Sequence, residues 1–72
     1  MKGIVTRVIK SHGSAWGSIR PEGVSREAFF NLASLVRPAD LSAMEQGQEV
    51  EFEEEADPVN GTRAVQVVCQ HA

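Results

Sequence analysis

Apolar and polar residues alternate over several short stretches of this chain, and the stretches are separated by turn-forming residues. The clearest is QEVEFEEE (48–55), with Val50 and Phe52 on one side and Glu49, Glu51 and Glu53 on the other. RAVQVVC (63–69) alternates as well, placing Val65, Val67 and Cys69 against Ala64, Gln66 and Val68. KGIVTRVIK (2–10) is rich in β-branched residues. Its two faces, Ile4/Thr6/Val8 and Val5/Arg7/Ile9, are both apolar enough that either could turn inward. SAWGSIR (14–20) sets Trp16, Ser18 and Arg20 against Ala15, Gly17 and Ile19. Turns are expected at SHG, at PEG (21–23) and at ADPVNGT (56–62), where Asn60-Gly61 accepts positive φ. Short strands at this spacing predict an all-β barrel or sandwich.

One stretch resists that pattern. In REAFFNLASLV (26–36) the apolar residues Ala28, Phe29, Leu32, Ala33, Leu35 and Val36 fit a helical stripe better than strict alternation. Periodicity alone therefore favours a helix there. RPADLSAMEQG (37–47), with Pro38 early, Asp40 in the first turn and Gly47 last, reads as a loop with one short helix.

With 72 residues the chain is sized for a single domain, 1–72. A core of this size contributes only about 3–5 kcal/mol of net stability without a staple. Cys69 stands alone, so no internal disulfide forms, and His12, Cys69 and His71 lack a zinc-finger spacing. No metal or cofactor is expected. No apolar run is long enough for a secretory signal or a membrane span. Together with the lone thiol, this predicts a soluble cytoplasmic protein.

Net charge is −3, but it is unevenly spread. Residues 1–37 hold Lys2, Arg7, Lys10, Arg20, Arg26 and Arg37 against Glu22 and Glu27, a net of +4. Residues 38–72 hold Arg63 against Asp40, Glu45, Glu49, Glu51, Glu53, Glu54, Glu55 and Asp57, a net of −7. A fold that keeps the halves apart has a positive and a negative face, which hints at a charged partner.

The sharpest question is posed by GSAWGSIRPEG (13–23). It surrounds the only tryptophan with small residues that cannot cover it. Trp16 is then either a core plug or an exposed platform.

Taken in order, several segments resemble the bacterial cold-shock proteins, which are small five-stranded antiparallel oligonucleotide-binding (OB) barrels. KGIV looks like the family's opening strand, and GSAWGSIRPEG like its glycine-aromatic motif on strand two. AFFNLASL (28–35) looks like the second aromatic motif, running into one helical turn. MEQGQEVEFE (44–53) and NGTRAVQVV (60–68) look like its fourth and closing strands. The resemblance implies a strand at 27–32, against the periodicity, with only 33–35 helical. It also implies an interior of Val5, Ile19, Ala28, Phe30, Val50, Phe52, Val65 and Val67.

The family binds single-stranded nucleic acid by stacking bases on outward aromatic rings, with cations meeting the phosphates. Each stack is worth about 1–3 kcal/mol and tolerates any base. The resemblance places Trp16 and Phe29 as two outward rings on adjacent strands. Arg7, Lys10, Ser18, Arg20, Asn31 and Leu32 complete the binding face. The chain departs from the family at most of these positions. Arg7 stands for a tryptophan, Val8 and Ile9 for a phenylalanine and an asparagine, Ser18 for an aromatic, Asn31 for a histidine and Leu32 for a phenylalanine. Losing stacking worth roughly 2–4 kcal/mol weakens binding about thirty- to a thousandfold. A guanidinium at position 7 offsets part of this, since it stacks on bases and pairs with phosphate. The expected function is weak, salt-sensitive binding of single-stranded RNA or DNA, as an RNA chaperone or regulator of gene expression.

The alternative is a protein-interaction module on the same barrel, suggested by Val8, Leu32, Val36 and the acidic stretch 49–57. An enzyme is not expected. There is no tyrosine, His12 and Cys69 lie on different elements, Glu53–Glu55 reads as a solvated edge, and Gly13 and Gly17 lack a phosphate-loop ending. A monomer, or a homodimer exchanging strands through 36–47, fits the sequence equally.

Overall fold

A computed structural model describes residues 1–11, 13–59 and 61–70. Five strands, β1 (Lys2–Ser11), β2 (Ser14–Pro21), β3 (Ala28–Asn31), β4 (Glu49–Asp57) and β5 (Gly61–Cys69), close into a barrel in the order β1-β2-β3-β5-β4. The all-β barrel expected from the alternations is therefore present. One pairing departs from a purely antiparallel barrel: β3 runs parallel to β5, with Phe29 opposite Arg63. The reason is parity. Five strands around a closed ring cannot all alternate in direction, so one adjacent pair must run the same way.

The helix favoured by periodicity in 26–36 does not form. Ala28–Asn31 is a strand, and only Leu32–Ser34 turns helically, as a single 3₁₀ turn. The strand buries Ala28 and Phe30 and exposes Phe29 and Asn31. Burial in the barrel outweighs the weak helical stripe. Asn31 ends the strand: its backbone N–H donates to Ser34 Oγ at 3.1 Å, and the Ser34 hydroxyl donates to Asn31 Oδ1 at 3.3 Å. The strand thus stops one residue short of the expected 27–32. The short helix expected in 37–47 is a 3₁₀ helix over Pro38–Ala43.

Two β-bulges decide which side chains face inward. On β1, Val5 lies opposite Ile19 and Arg7 opposite Ser18, so Thr6 is an extra residue. Val5 and Arg7 share a parity, yet Val5 is fully buried and Arg7 is exposed. The bulge is what allows both. On β5, Val68 pairs with Glu51 and Val65 with Glu53, three steps against two. Gln66 absorbs the excess at φ +55°. Ala64, Val67 and Cys69 are buried as a result, while Val65, expected inside, is only half-buried.

The remaining expected interior residues, Val5, Ile19, Ala28, Phe30, Val50, Phe52 and Val67, form the core with Ala64, Leu35, Met44 and Cys69. Met44, directly after the 3₁₀ helix, is fully buried. Its sulfur lies 3.2 Å from Cys69 Sγ, and Cys69 Sγ is 3.7 Å from the Asp40 carbonyl. Segment 36–47 is thereby packed against β5.

The ring order also sorts charge. Glu49, Glu51, Glu53 and Glu55 are exposed along β4, which is flanked by β1 and β5 and sits away from β2 and β3. Ion pairs join the positive and negative halves of the chain at Arg26–Glu54 (2.9 Å) and Arg37–Asp40 (3.5 Å), and Arg63, the one cation of the acidic half, reaches Glu55 within it.

Candidate nucleic-acid interface

The outer face of β1, β2 and β3 carries the two rings. Trp16 lies opposite Ile9 on one side and Asn31 on the other, and Phe29 lies opposite Ser18. Trp16 and Phe29 are therefore diagonal neighbours on one face, with backbones about 7–8 Å apart. Trp16 is 46% exposed and Phe29 41%. The indole is not a core plug.

Two features of the chain hold Trp16 outward. Alternation on β2 turns Ala15, Gly17 and Ile19 into the barrel, so Trp16 must point away. Gly17 then lets β2 press against the β1 bulge: a Cβ at that position would sit 2.1 Å from the Arg7 carbonyl oxygen and 3.0 Å from Phe30 Cε1. The bulge in turn directs Arg7 outward. Its guanidinium carbon lies 5.6 Å from the centre of the Trp16 ring, within the range of a cation–π contact.

The other expected residues are placed unequally. Asn31 is exposed beside Trp16. Arg20 is exposed on the same face, four residues along β2 and so about 13 Å from Trp16. Ser18 faces outward by register but is only 3% exposed. Thr6, displaced by the bulge, covers it: Thr6 Oγ1 lies 2.9 Å from Ser18 Oγ and donates to Glu27 Oε2 at 2.6 Å. Ser18 therefore does not leave the ring edge open; its hydroxyl is occupied within the protein. Lys10 pairs with buried Ala15, so its register position is on the opposite face of the sheet from Trp16. Ile9 takes the place beside the indole. Leu32 leaves the sheet in the 3₁₀ turn and is half-buried against the core, not aligned with Phe29.

The structure adds two residues that the sequence pattern did not place here. A groove of about 390 Å³ beside the rings is lined by Trp16, Phe29, Asn31, Asp57 and Arg63, among others. Arg63 is exposed and donates to a Glu55 carboxylate oxygen. That hydrogen bond, reinforced by the charges of Glu55 and Asp57 and weakly opposed by desolvation, holds its pKa above the ordinary arginine value. Strict alternation along β5 puts Arg63 on the side of Val65 and Val67, hence inward. The bulge at Gln66 reverses the facing upstream of it, and no residue type in RAVQVVC signals that.

Among the described residues no group of three His, Cys, Asp or Glu side chains is arranged to hold a metal ion. His12 and His71 lie outside the described residues. No helix among the described residues is long and apolar enough to cross a membrane. No protein-family model matches the chain, and the search of curated proteins returns no match.

Proposed function

We propose that the chain binds single-stranded RNA or DNA in the manner of the cold-shock proteins, as an RNA chaperone or regulator of gene expression in the cytoplasm. Bases stack on Trp16 and Phe29, while Arg7 and Arg20 meet phosphates. The observation that carries this reading is the pair of half-open rings on adjacent strands of one face, with Arg7 against the indole. Two stacks contribute about 2–6 kcal/mol. Adding about 2 kcal/mol from a phosphate contact or two brings the total to about 4–8 kcal/mol, a dissociation constant between roughly 1 mM and 1 μM. Each phosphate contact steepens the salt dependence by about 0.7 in log–log slope. Asp57 beside the groove and the net charge of −3 oppose binding, and because salt screens that repulsion as well, they make the dependence shallower than the phosphate contacts alone would give.

Trp16 is the only tryptophan and therefore reports on the site directly. Titration with a short pyrimidine-rich oligonucleotide at low ionic strength is expected to quench its fluorescence and to lose the effect as salt rises. A flat titration up to high micromolar oligonucleotide refutes the proposal.

The exposed row Glu49, Glu51, Glu53 and Glu55 favours a second reading, in which the barrel meets a basic protein partner. The apolar part of that argument is thinner in three dimensions. Val8 and Leu32 are packed against the core, leaving Val36 as the exposed member of the three. A partner recovered equally well after nuclease treatment supports this second reading.

A further inference from the structure

We propose that Glu55 is a built-in competitor for nucleic-acid phosphate at Arg63, occupying a third position of the binding track until a phosphate displaces it. This inference rests on the single-strand-binding reading of Trp16 and Phe29.

Three observations converge on Arg63. It stands directly opposite Phe29 across the parallel β3–β5 pairing, one interstrand spacing of about 4.8 Å farther round the barrel. Trp16, Phe29 and Arg63 therefore form a series on β2, β3 and β5. Arg63 and Asn31 also line a second groove of about 380 Å³, continuing past the rings toward Ser34, Val36 and Gln66. Finally, the guanidinium is ion-paired to Glu55, with the two side chains 47% and 52% exposed.

A nucleotide whose base lies on Phe29 and whose strand continues along these grooves carries its phosphate over Arg63. The planar fork of a guanidinium fits a carboxylate and a phosphate in the same way. The Glu55 contact takes Nη2, so a phosphate gripped in bidentate fashion through that nitrogen displaces Glu55 from it. Exposed ion pairs are weak and open to salt, so Glu55 attenuates binding without abolishing it. The acidic half of the chain thereby restrains the cationic track at one defined contact, the place where β4 and β5 bring the two charges together.

The test measures oligonucleotide affinity and its salt dependence, by Trp16 quenching, for the full chain and four variants: Glu55→Gln, Arg63→Ala, the double variant, and Glu49→Gln. Glu49→Gln removes the same charge six residues away on β4, about 20 Å along the strand, and is compared with Glu55→Gln near 0.1 M salt, where the Debye length is about 10 Å. Glu55→Gln is expected to bind about two- to fivefold more tightly, the size of an exposed ion pair. Its salt slope is expected to steepen, by less than the roughly 0.7 of a whole phosphate contact, because the parent's competing ion pair weakens as salt rises and the variant has none to lose. The gain is expected to vanish in the Arg63→Ala background and to be absent in Glu49→Gln.

A gain that persists without Arg63, or an equal gain from Glu49→Gln, shows a general charge effect and overturns the proposal. Parent-like affinity of Glu55→Gln, with the parent still quenching, overturns the competitor and leaves the ring platform standing. No quenching by either protein overturns both. Should Glu55→Gln fail to fold by circular dichroism, Glu55→Thr, a good strand former, carries the same comparison.

Discussion

Gly17→Ala probes the contact on which core and platform both depend. The added Cβ falls 2.1 Å from the Arg7 carbonyl oxygen and 3.0 Å from Phe30 Cε1. The oxygen belongs to backbone, so no side-chain rotation relieves the clash. Either β1 and β2 part locally or the Thr6–Arg7 bulge rearranges. Overpacking of this kind costs about 1–3 kcal/mol. Gly17 is not among the glycines at positive φ, so alanine also restricts the unfolded chain, offsetting about 0.4–1 kcal/mol. The steric effect wins, with a net loss of about 1–2 kcal/mol. For a domain whose core supplies about 3–5 kcal/mol, that is a large share. With a urea slope of about 1 kcal/mol/M, the unfolding midpoint falls by about 1–2 M. The melting temperature falls by about 4–16 °C. Circular dichroism is the suitable probe, because Trp16 adjoins the substituted residue. A midpoint equal to or above that of the parent refutes the close approach and, with it, the explanation of how Arg7 comes to face Trp16.

Three further outcomes are expected. Phe29→Ala keeps the fold by circular dichroism and lowers oligonucleotide affinity roughly five- to 150-fold, the loss of one stack; unchanged affinity in a fluorescence-anisotropy titration removes Phe29 from the interface. Phe52→Ala, at a side chain only 1% exposed, costs about 3–5 kcal/mol. That equals the whole expected stability, so collapsed amide dispersion in a proton–nitrogen correlation spectrum is expected, and a well-dispersed native spectrum contradicts it. Burial, with a smaller contribution from Asp40 and opposition from Arg37, holds the Cys69 thiol above its ordinary pKa. The folded chain then keeps this proton more tightly than the unfolded chain. The stabilisation is full below about pH 8.5 and is lost as pH rises toward the folded value. A urea midpoint that falls on the alkaline side in the parent, but not in Cys69→Ala measured against its own neutral value, is the expected signature; parallel curves count against it.

Local pattern carried much of this fold, because a strand with one buried face must alternate. QEVEFEEE reads as β4 with Val50 and Phe52 inward, and the small residues around Trp16 already fit an indole turned to water. The resemblance to cold-shock proteins correctly chose strand over helix for Ala28–Asn31, where periodicity favoured the wrong element. Local pattern and structure part mostly at a bulge or a strand end. RAVQVVC alternates and points Val65 inward, but Gln66 at positive φ shifts the facing by one residue. The same shift hid Arg63. Thr6 covers Ser18 because the β1 bulge puts two residues opposite one, and Leu32 left the platform because Asn31 already caps a 3₁₀ turn.

The sequence by itself therefore determined most strands through local alternation, while the strand at Ala28–Asn31, most of the core and the outward rings Trp16 and Phe29 followed from the resemblance to cold-shock proteins. Tertiary structure alone decided where the register slips, that β3 runs beside β5, and that Glu55 meets Arg63 next to Phe29. Those features arise from closing the ring. An odd number of strands forces one parallel pair, and bulges absorb the mismatch between strands, so residues far apart in sequence become neighbours without any local pattern to announce them.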